Sequence, residues 1–193
     1  MRSCAQAHTV GIPGYASARG QVTLRNGVFI RLRPIRPDDA PRLIALCRRL
    51  SPRTIYQRFF TVRRMSPEEA HTLATVDYRD RMAVVAVRDS RQGRELVGVA
   101  RYGVAGEDLT PDVGLVVEDA WQGFGLGPIL LNVLVRTGEA RGFSKFQADV
   151  LAENRRALRL LARNTDIIQR TVSDGVTSVV FRGRADSSGE ATR

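Results

Sequence analysis

Gln122-Gly123-Phe124-Gly125-Leu126-Gly127 runs directly into Ile129, Leu130, Val133, Leu134 and Ala140, and it follows the β-branched run Asp112 to Val117. Apolar residues recurring every three to four positions after the glycines predict a helix, and the run before them predicts a strand. Glycine at alternate positions lets three backbone N–H groups turn inward with no Cβ in the way. The helix start adds the positive end of its dipole, so such a turn suits a phosphate. A tight strand-to-helix connection uses glycine as well, so the turn alone leaves both readings open.

Upstream of the turn, Met82 to Val87 and Leu96 to Tyr102 are apolar, β-branched runs separated by Ser90-Arg91-Gln92-Gly93, the pattern of a hairpin. Val28 to Arg33 reads as a strand stopped by Pro34 and Pro37. A helix capped by Asp38 follows, with Leu43, Leu46, Cys47 and Leu50 on one face, which makes Cys47 a core residue and not a nucleophile. Ser51-Pro52 opens a second helix with Ile55, Tyr56, Phe59 and Phe60 on its apolar side. Ser66 and Glu69 have the spacing of a capping box at the head of a third, which carries His71 on its surface. Downstream, Gly142 ends the long helix. Phe146 to Leu151 is a strand, Arg155 to Arg163 a helix, and Ile167 to Val172 with Thr177 to Phe181 a closing strand pair. This order predicts one mixed α/β domain over residues 21–184, with residues 1–20 as a disordered arm and 185–193 as a frayed tail.

Composition narrows the function classes. The chain has 193 residues, 43% of them hydrophobic, enough for one sizeable core. No apolar run approaches the ~20 residues of a membrane span, and none follows the start as a signal peptide would. Cys4 and Cys47 fit neither a metal spacing nor a disulfide framework, and two histidines are too few for a His-built site, so no metal is expected and a reducing cytoplasm fits. The net charge of +10 suggests nucleic acid, but 29 of the 30 basic residues are Arg, and the excess sits in residues 1–67 with no interleaved stacking aromatics. That pattern argues for a solvated basic face. Oligomeric state is not readable.

A dinucleotide fold competes, because Asp149 lies about 20 residues beyond the glycines, where a ribose-binding acid is expected. The spacing opposes it: G-x-G-x-G replaces G-x-G-x-x-G, several residues separate strand from glycine, and Asp149 is mid-strand.

With the motif and its flanks in view, the sequence resembles the GNAT superfamily of N-acetyltransferases, whose turn is Q/R-x-x-G-x-G/A between strand and helix. Gln122 to Gly127 fits in full, and Val116 to Trp121 before it and Val150 to Asn154 after it are similar to the family's flanking strands. Arg33 to Ala40, Leu50-Ser51-Pro52 with Arg58-Phe59-Phe60, and Val97 to Tyr102 are similar to the bacterial protein-lysine acetyltransferase branch. The resemblance implies a mostly antiparallel sheet flanked by helices and splayed at one parallel strand pair, with acetyl-CoA wedged in the opening. It implies that the edge Leu115, Val116 and Val117 pairs with the pantetheine amides, an N–H near Val116 polarising the thioester carbonyl. Gln122, Gly123, Phe124, Gly125, Leu126 and Gly127 would take the pyrophosphate. Asn154 would hydrogen-bond the pantetheine arm, a position equally suited to a helix N-cap.

Asp112 stands where that branch carries a catalytic Glu, one methylene shorter, so the resemblance implies a base acting directly or through water. A strand-start Asp after Pro111 is the plainer reading. The family's acidic Tyr is replaced by Leu161, leaving Tyr102, another Tyr or water as a substitute, although an outward or core tyrosine is the favoured reading of Tyr102. Asn164-Thr165-Asp166-Ile167 departs from the family's Gly-Phe, and Pro128 removes one N–H at the turn. The implied function is acetyl-CoA-dependent transfer to an amine, a protein lysine first. A non-catalytic acyl-CoA-binding regulatory module and a small-molecule amine acetyltransferase are the alternatives.

Overall fold

Asn26-Gly27 turns the chain at the start of the fold. Gly27 takes a φ of +79°, Val28 N–H donates to Asn26 Oδ1 at 3.2 Å, and Leu24 N–H donates to Val28 O at 2.9 Å. This turn joins β1 (Gly20–Thr23) to β2 (Phe29–Pro34) in antiparallel register. The structure, a computed structural model, describes residues 18–62, 64–90, 93–104 and 109–184. The arm expected over residues 1–20 therefore gives way sooner than its predicted end, because Ala18 is buried and Gly20 already pairs with Leu32. The rest of that arm, and the tail expected over 185–193, lie outside the described residues.

The three helices after β2 follow their caps, with one correction. Asp38 does not cap α1 (Ala40–Arg49); it lies within a single 3-10 turn, Pro37–Asp39. Asp39 holds the cap position, and its carboxylate is drawn back to Arg33 and to the N–H of Arg36. Ser51 caps α2 (Pro52–Phe59) by accepting from Thr54 N–H at 3.2 Å. Ser66 and Glu69 close a full capping box on α3 (Pro67–Ala74).

The remaining strands are β3 (Arg81–Ser90), β4 (Gly93–Val104), β5 (Pro111–Val117), β6 (Phe146–Leu151), β7 (Thr165–Ser173) and β8 (Val176–Gly183). With β1 and β2 they make one sheet ordered β1-β2-β3-β4-β5-β6-β8-β7, antiparallel except where β5 meets β6. Two apolar layers follow from strand alternation. Helices α4 (Leu126–Glu139) and α5 (Arg155–Asn164) cover one face over Ile30, Leu32, Val84, Tyr102, Phe146 and Phe181. Helices α1 and α3 cover the other over Ile35, Ala83, Val85, Val99 and Val116. α4 stops at Glu139, earlier than Gly142, which takes a φ of +94° in the turn beyond. Tyr102 lies wholly buried, its ring edge-on to Phe143 and its hydroxyl donating to Arg79 O at 3.2 Å, so it is a core tyrosine and not an acid for the site. Cys47 is half-buried beside Met65, and burial pushes its thiol up, which agrees with a packing role.

The close approach of α4 to β6 depends on Gly138. A Cβ there would lie 2.6 Å and 2.7 Å from two ring atoms of Phe146, which is fully buried and stacked on Phe181. The ring has nowhere to go. Gly138→Val is expected to cost about 1–3 kcal/mol by overpacking, beyond any gain from replacing a helical glycine. Denaturant unfolding checks this, and a stability equal to wild type would mean the helix can lift freely.

Candidate active site

β5 and β6 are registered at a single pair, Asp112 opposite Gln147, at the start of both strands. Beyond that pair the strands part, leaving one edge of β5 open from Val113 to Val117. Which groups face the opening follows from the other edge. β5 pairs with β4 in unbroken antiparallel register, and Glu118 N–H donates to Val97 O at 3.0 Å. Alternation along the strand then turns the N–H groups of Val116 and Gly114 toward β4 and those of Leu115 and Val117 toward the opening. The donor expected near Val116 therefore falls to a neighbour, Leu115 or Val117, because the Val116 amide is taken up in the sheet and its side chain faces α1 and α3. Gln122 confirms the direction, since its Nε2 donates to the outward Val117 O at 2.9 Å.

The glycine turn sits at the mouth of the opening, and its three glycines are not equivalent. Gly123 and Gly125 take φ of +92° and +95°, where a side chain is strained, whereas Gly127 is an ordinary residue in the first turn of α4. Gly125 is the N-cap residue, so Leu126 and Gly127 present free N–H groups at the helix start, and Pro128 withholds one. Phe124 O accepts from Arg25 N–H at 3.1 Å, so the β1–β2 turn braces this one from outside. Arg25 and Arg156 both reach it: Arg156 donates to Gln122 Oε1 at 2.7 Å, and the Arg25 side chain lies beside Gly125. Neither arginine was anticipated from sequence, because one belongs to the presumed start of the fold and the other to a helix face.

Asn154 caps α5, its Oδ1 accepting from Ala157 N–H at 3.1 Å. Its amide N–H groups make no hydrogen bond among the described residues, so the cap leaves its donor end available. Asp149, considered above for a ribose, points from β6 and accepts from Ser178 Oγ at 2.6 Å. Leu161 is buried, and β7 begins directly at Thr165, whose hydroxyl donates to Leu161 O.

On the α1–α3 face, Asp112 and Gly114 of β5 lie opposite Gly103 and Arg101 of β4. Arg58 of α2 reaches over Gly114, where a Cβ would collide with its guanidinium. Asp112, Arg58, Arg81, Arg101 and Gly114 line a cavity of about 260 Å³. A larger one of about 850 Å³ opens beside it between the helices and the sheet, walled by Cys47, Phe59, Leu73, Val99 and Val116. Burial raises the Asp112 carboxyl above its ordinary value, the charge of Asp149 adds to this, and Arg58 and Arg101 pull it back. Asp112 itself stays open to solvent.

The helical end of the site is latched to the end of β5. Asp119 accepts from Ser51 N–H, Ser51 Oγ and Thr54 Oγ1 at 2.9, 2.8 and 2.7 Å, and Arg49 grips Glu118 at 3.0 and 3.1 Å. The half-open parallel strand pair thus has a left-handed glycine turn at its mouth and the carboxylate of Asp112 at its closed end.

Comparison with known proteins agrees with this geometry. A family model described as an acetyltransferase (GNAT) domain matches residues 30–164. Acetyltransferase PA5475 of Pseudomonas aeruginosa is 31% identical over 162 residues, 83% of this chain and 86% of that protein. Acetyltransferase Pat of Mycolicibacterium smegmatis is 29% identical over 143 residues, 74% of this chain but only 42% of the relative's length. Among solved structures, the GNAT domain of S. lividans PAT superposes with a TM-score of 0.76 at 31% identity, covering 86% of this chain and 97% of that one. YncA from Salmonella typhimurium, a putative acetyltransferase solved with its cofactor acetyl-CoA, shares the fold with a TM-score of 0.64 at 15% identity, over 84% of this chain and 99% of that one. The open strand pair, the turn and these relatives lead to one assignment: the chain belongs to the GNAT family and is an N-acetyltransferase.

Proposed function

We propose that acetyl-CoA binds in the opening between β5 and β6 and that its acetyl group passes directly to an amine, a protein lysine being the first acceptor to test. The observation that carries this reading is the single registered pair between β5 and β6, with the strained glycine turn at the mouth of the gap. The outward amides of Leu115 and Val117 are placed to pair with the pantetheine arm as a neighbouring strand would, one of them polarising the thioester carbonyl. The free N–H groups at Gly125, Leu126 and Gly127 take the pyrophosphate, with Arg25 and Arg156 supplying opposite charge. Asn154 offers its amide N–H to the pantetheine while its Oδ1 keeps the cap. Asp112 accepts the proton of the incoming ammonium. With Leu161 and Tyr102 both in the core, the departing thiolate takes its proton from water. The lysine acceptor is supported by the resemblance of the Arg33 to Ala40 and Arg58 to Phe60 segments to the protein-lysine acetyltransferase branch.

Thermal unfolding with and without acetyl-CoA, with NAD as control, tests the cofactor. At ~100 times Kd a ligand adds roughly 2.7 kcal/mol, which in a chain of this size raises the midpoint by about 5–10 °C. A shift with acetyl-CoA alone is expected. Equal behaviour with both ligands would reduce the glycine turn to a chain reversal and remove the reading.

A further inference from the structure

We propose that Arg58 and Arg101 form a receptor for a carboxylate carried by a substrate of this site. The proposal rests on the acetyltransferase reading above and extends it to the chemistry of what is bound. Arg58 comes from α2 and Arg101 from β4, and both line the two adjoining cavities on the α1–α3 face of the sheet. Gly114 is what lets them meet. A side chain at that position would strike the Arg58 guanidinium, and Gly114 is registered directly opposite Arg101.

Among the described residues neither guanidinium finds an acceptor. Arg58 lies over the ring of Phe59 at 5.1 Å, and among the described residues neither Arg58 nor Arg101 makes a hydrogen bond or an ion pair. The neighbouring cations differ in this respect: Arg81 is paired with Asp77 at 3.2 Å and Arg49 with Glu118 at 3.0 Å. A guanidinium carries five N–H donors, and leaving one half-buried without acceptors is costly. Mutual repulsion adds to that cost. Burial, then the charges of Arg58 and Arg81, bring Arg101 down to about 10, with Asp112 opposing. Asp112 faces both arginines without hydrogen-bonding either, so among the described residues two cations share one anion. The missing partner is a flat, singly charged acceptor able to take two parallel N–H bonds, which is a carboxylate. The wall behind it, formed by Cys47, Phe59, Leu73, Val99 and Val116, suits an aliphatic stem.

Two substrates could bring that carboxylate: the acyl group of a dicarboxylic thioester, or an acceptor whose amine and carboxylate share one molecule. Calorimetric titration of the whole chain separates them. One arm compares succinyl-CoA with butyryl-CoA, which differ at the far end of a four-carbon acyl group. The other, at saturating CoA, compares free amino acids with the amines left by removing their carboxylate, starting with lysine against 1,5-diaminopentane. Charge-assisted hydrogen bonds of this kind predict a preference of about tenfold to a hundredfold for the carboxylate in one arm. Arg101→Gln and Arg58→Gln should each bring that ratio toward one. If Arg58→Gln does not fold, the wild-type ratio and Arg101→Gln decide. Acetyl-CoA binding with a ratio near one in both arms overturns the receptor and leaves the acetyltransferase reading standing. No binding of any acyl-CoA removes both.

Discussion

Asp112→Asn is expected to lower kcat/KM by about 10²–10⁴-fold, the usual worth of a positioned general base, while acetyl-CoA still raises the unfolding midpoint as in wild type. The amine arrives as an ammonium at neutral pH and cannot attack a thioester until a proton leaves. Asp112 sits at the one place where β5 and β6 still touch, so it faces the point at which the opening begins. Arg58 and Arg101 beside it disfavour a further positive charge and so help the ammonium to release its proton. Asn keeps the shape and removes the acceptor of that proton. Asp112→Glu restores one methylene of reach and should retain most of the rate. A loss below tenfold in Asp112→Asn would hand proton removal to water.

The same groups set a pH signature. Burial and Asp149 raise the Asp112 carboxyl, so the acidic limb of kcat/KM should lie above the ordinary carboxylate range near 3.9, with activity rising as pH climbs through it. Asp149→Asn removes the neighbouring negative charge, lowers the Asp112 pKa and moves that limb to lower pH. A residue that merely held the strand start would leave the limb in place. The contrast also separates an enzyme from a binding module, since a module without turnover has no limb to move.

Much of this site could be read along the chain because its chemistry is local. The turn Gln122 to Gly127 sits between a strand run and a helical period, and the caps at Ser51 and Ser66 announce themselves within four residues. What escaped depends on neighbours distant in sequence. The direction of the Val116 amide is decided by its pairing with β4, which periodicity along β5 does not record. Asp39 rather than Asp38 is the buried carboxylate because Arg33 lies across from it in β2. Two further signals stand in the sequence itself. Asn26-Gly27 is a hairpin turn by composition. Arg101 shares inward parity with Val99 in the otherwise apolar run Leu96 to Tyr102, so a charge stands where a core residue is due.

Asp39→Ala is expected to cost about 3–5 kcal/mol, the penalty for breaking a buried ion pair by removing one partner, against a total stability of roughly 5–15 kcal/mol for a domain. Asp39 is 0% exposed and binds Arg33 through both oxygens at 2.6 and 2.7 Å, with Arg36 N–H at 2.9 Å and Arg42 at 3.2 Å. It ties β2 to the head of α1, and through α1 to the helices that wall the larger cavity. Burial alone would raise its carboxyl, but the bonds from Arg33 and Arg36 and the charges of Arg33 and Arg42 outweigh burial and hold it below the ordinary value. A depressed folded value means the stabilisation is complete above the unfolded carboxylate range and disappears as pH falls through the folded one. The gap between wild type and Asp39→Ala in denaturant midpoint should therefore be full near neutral pH and close in acid. Adding Arg33→Met to Asp39→Ala should recover part of the loss, because the cation left without its partner is then gone. A gap that persists unchanged below pH ~3, or a double variant no better than the single, would show that Asp39 acts by packing and helix-start geometry and not by its charge.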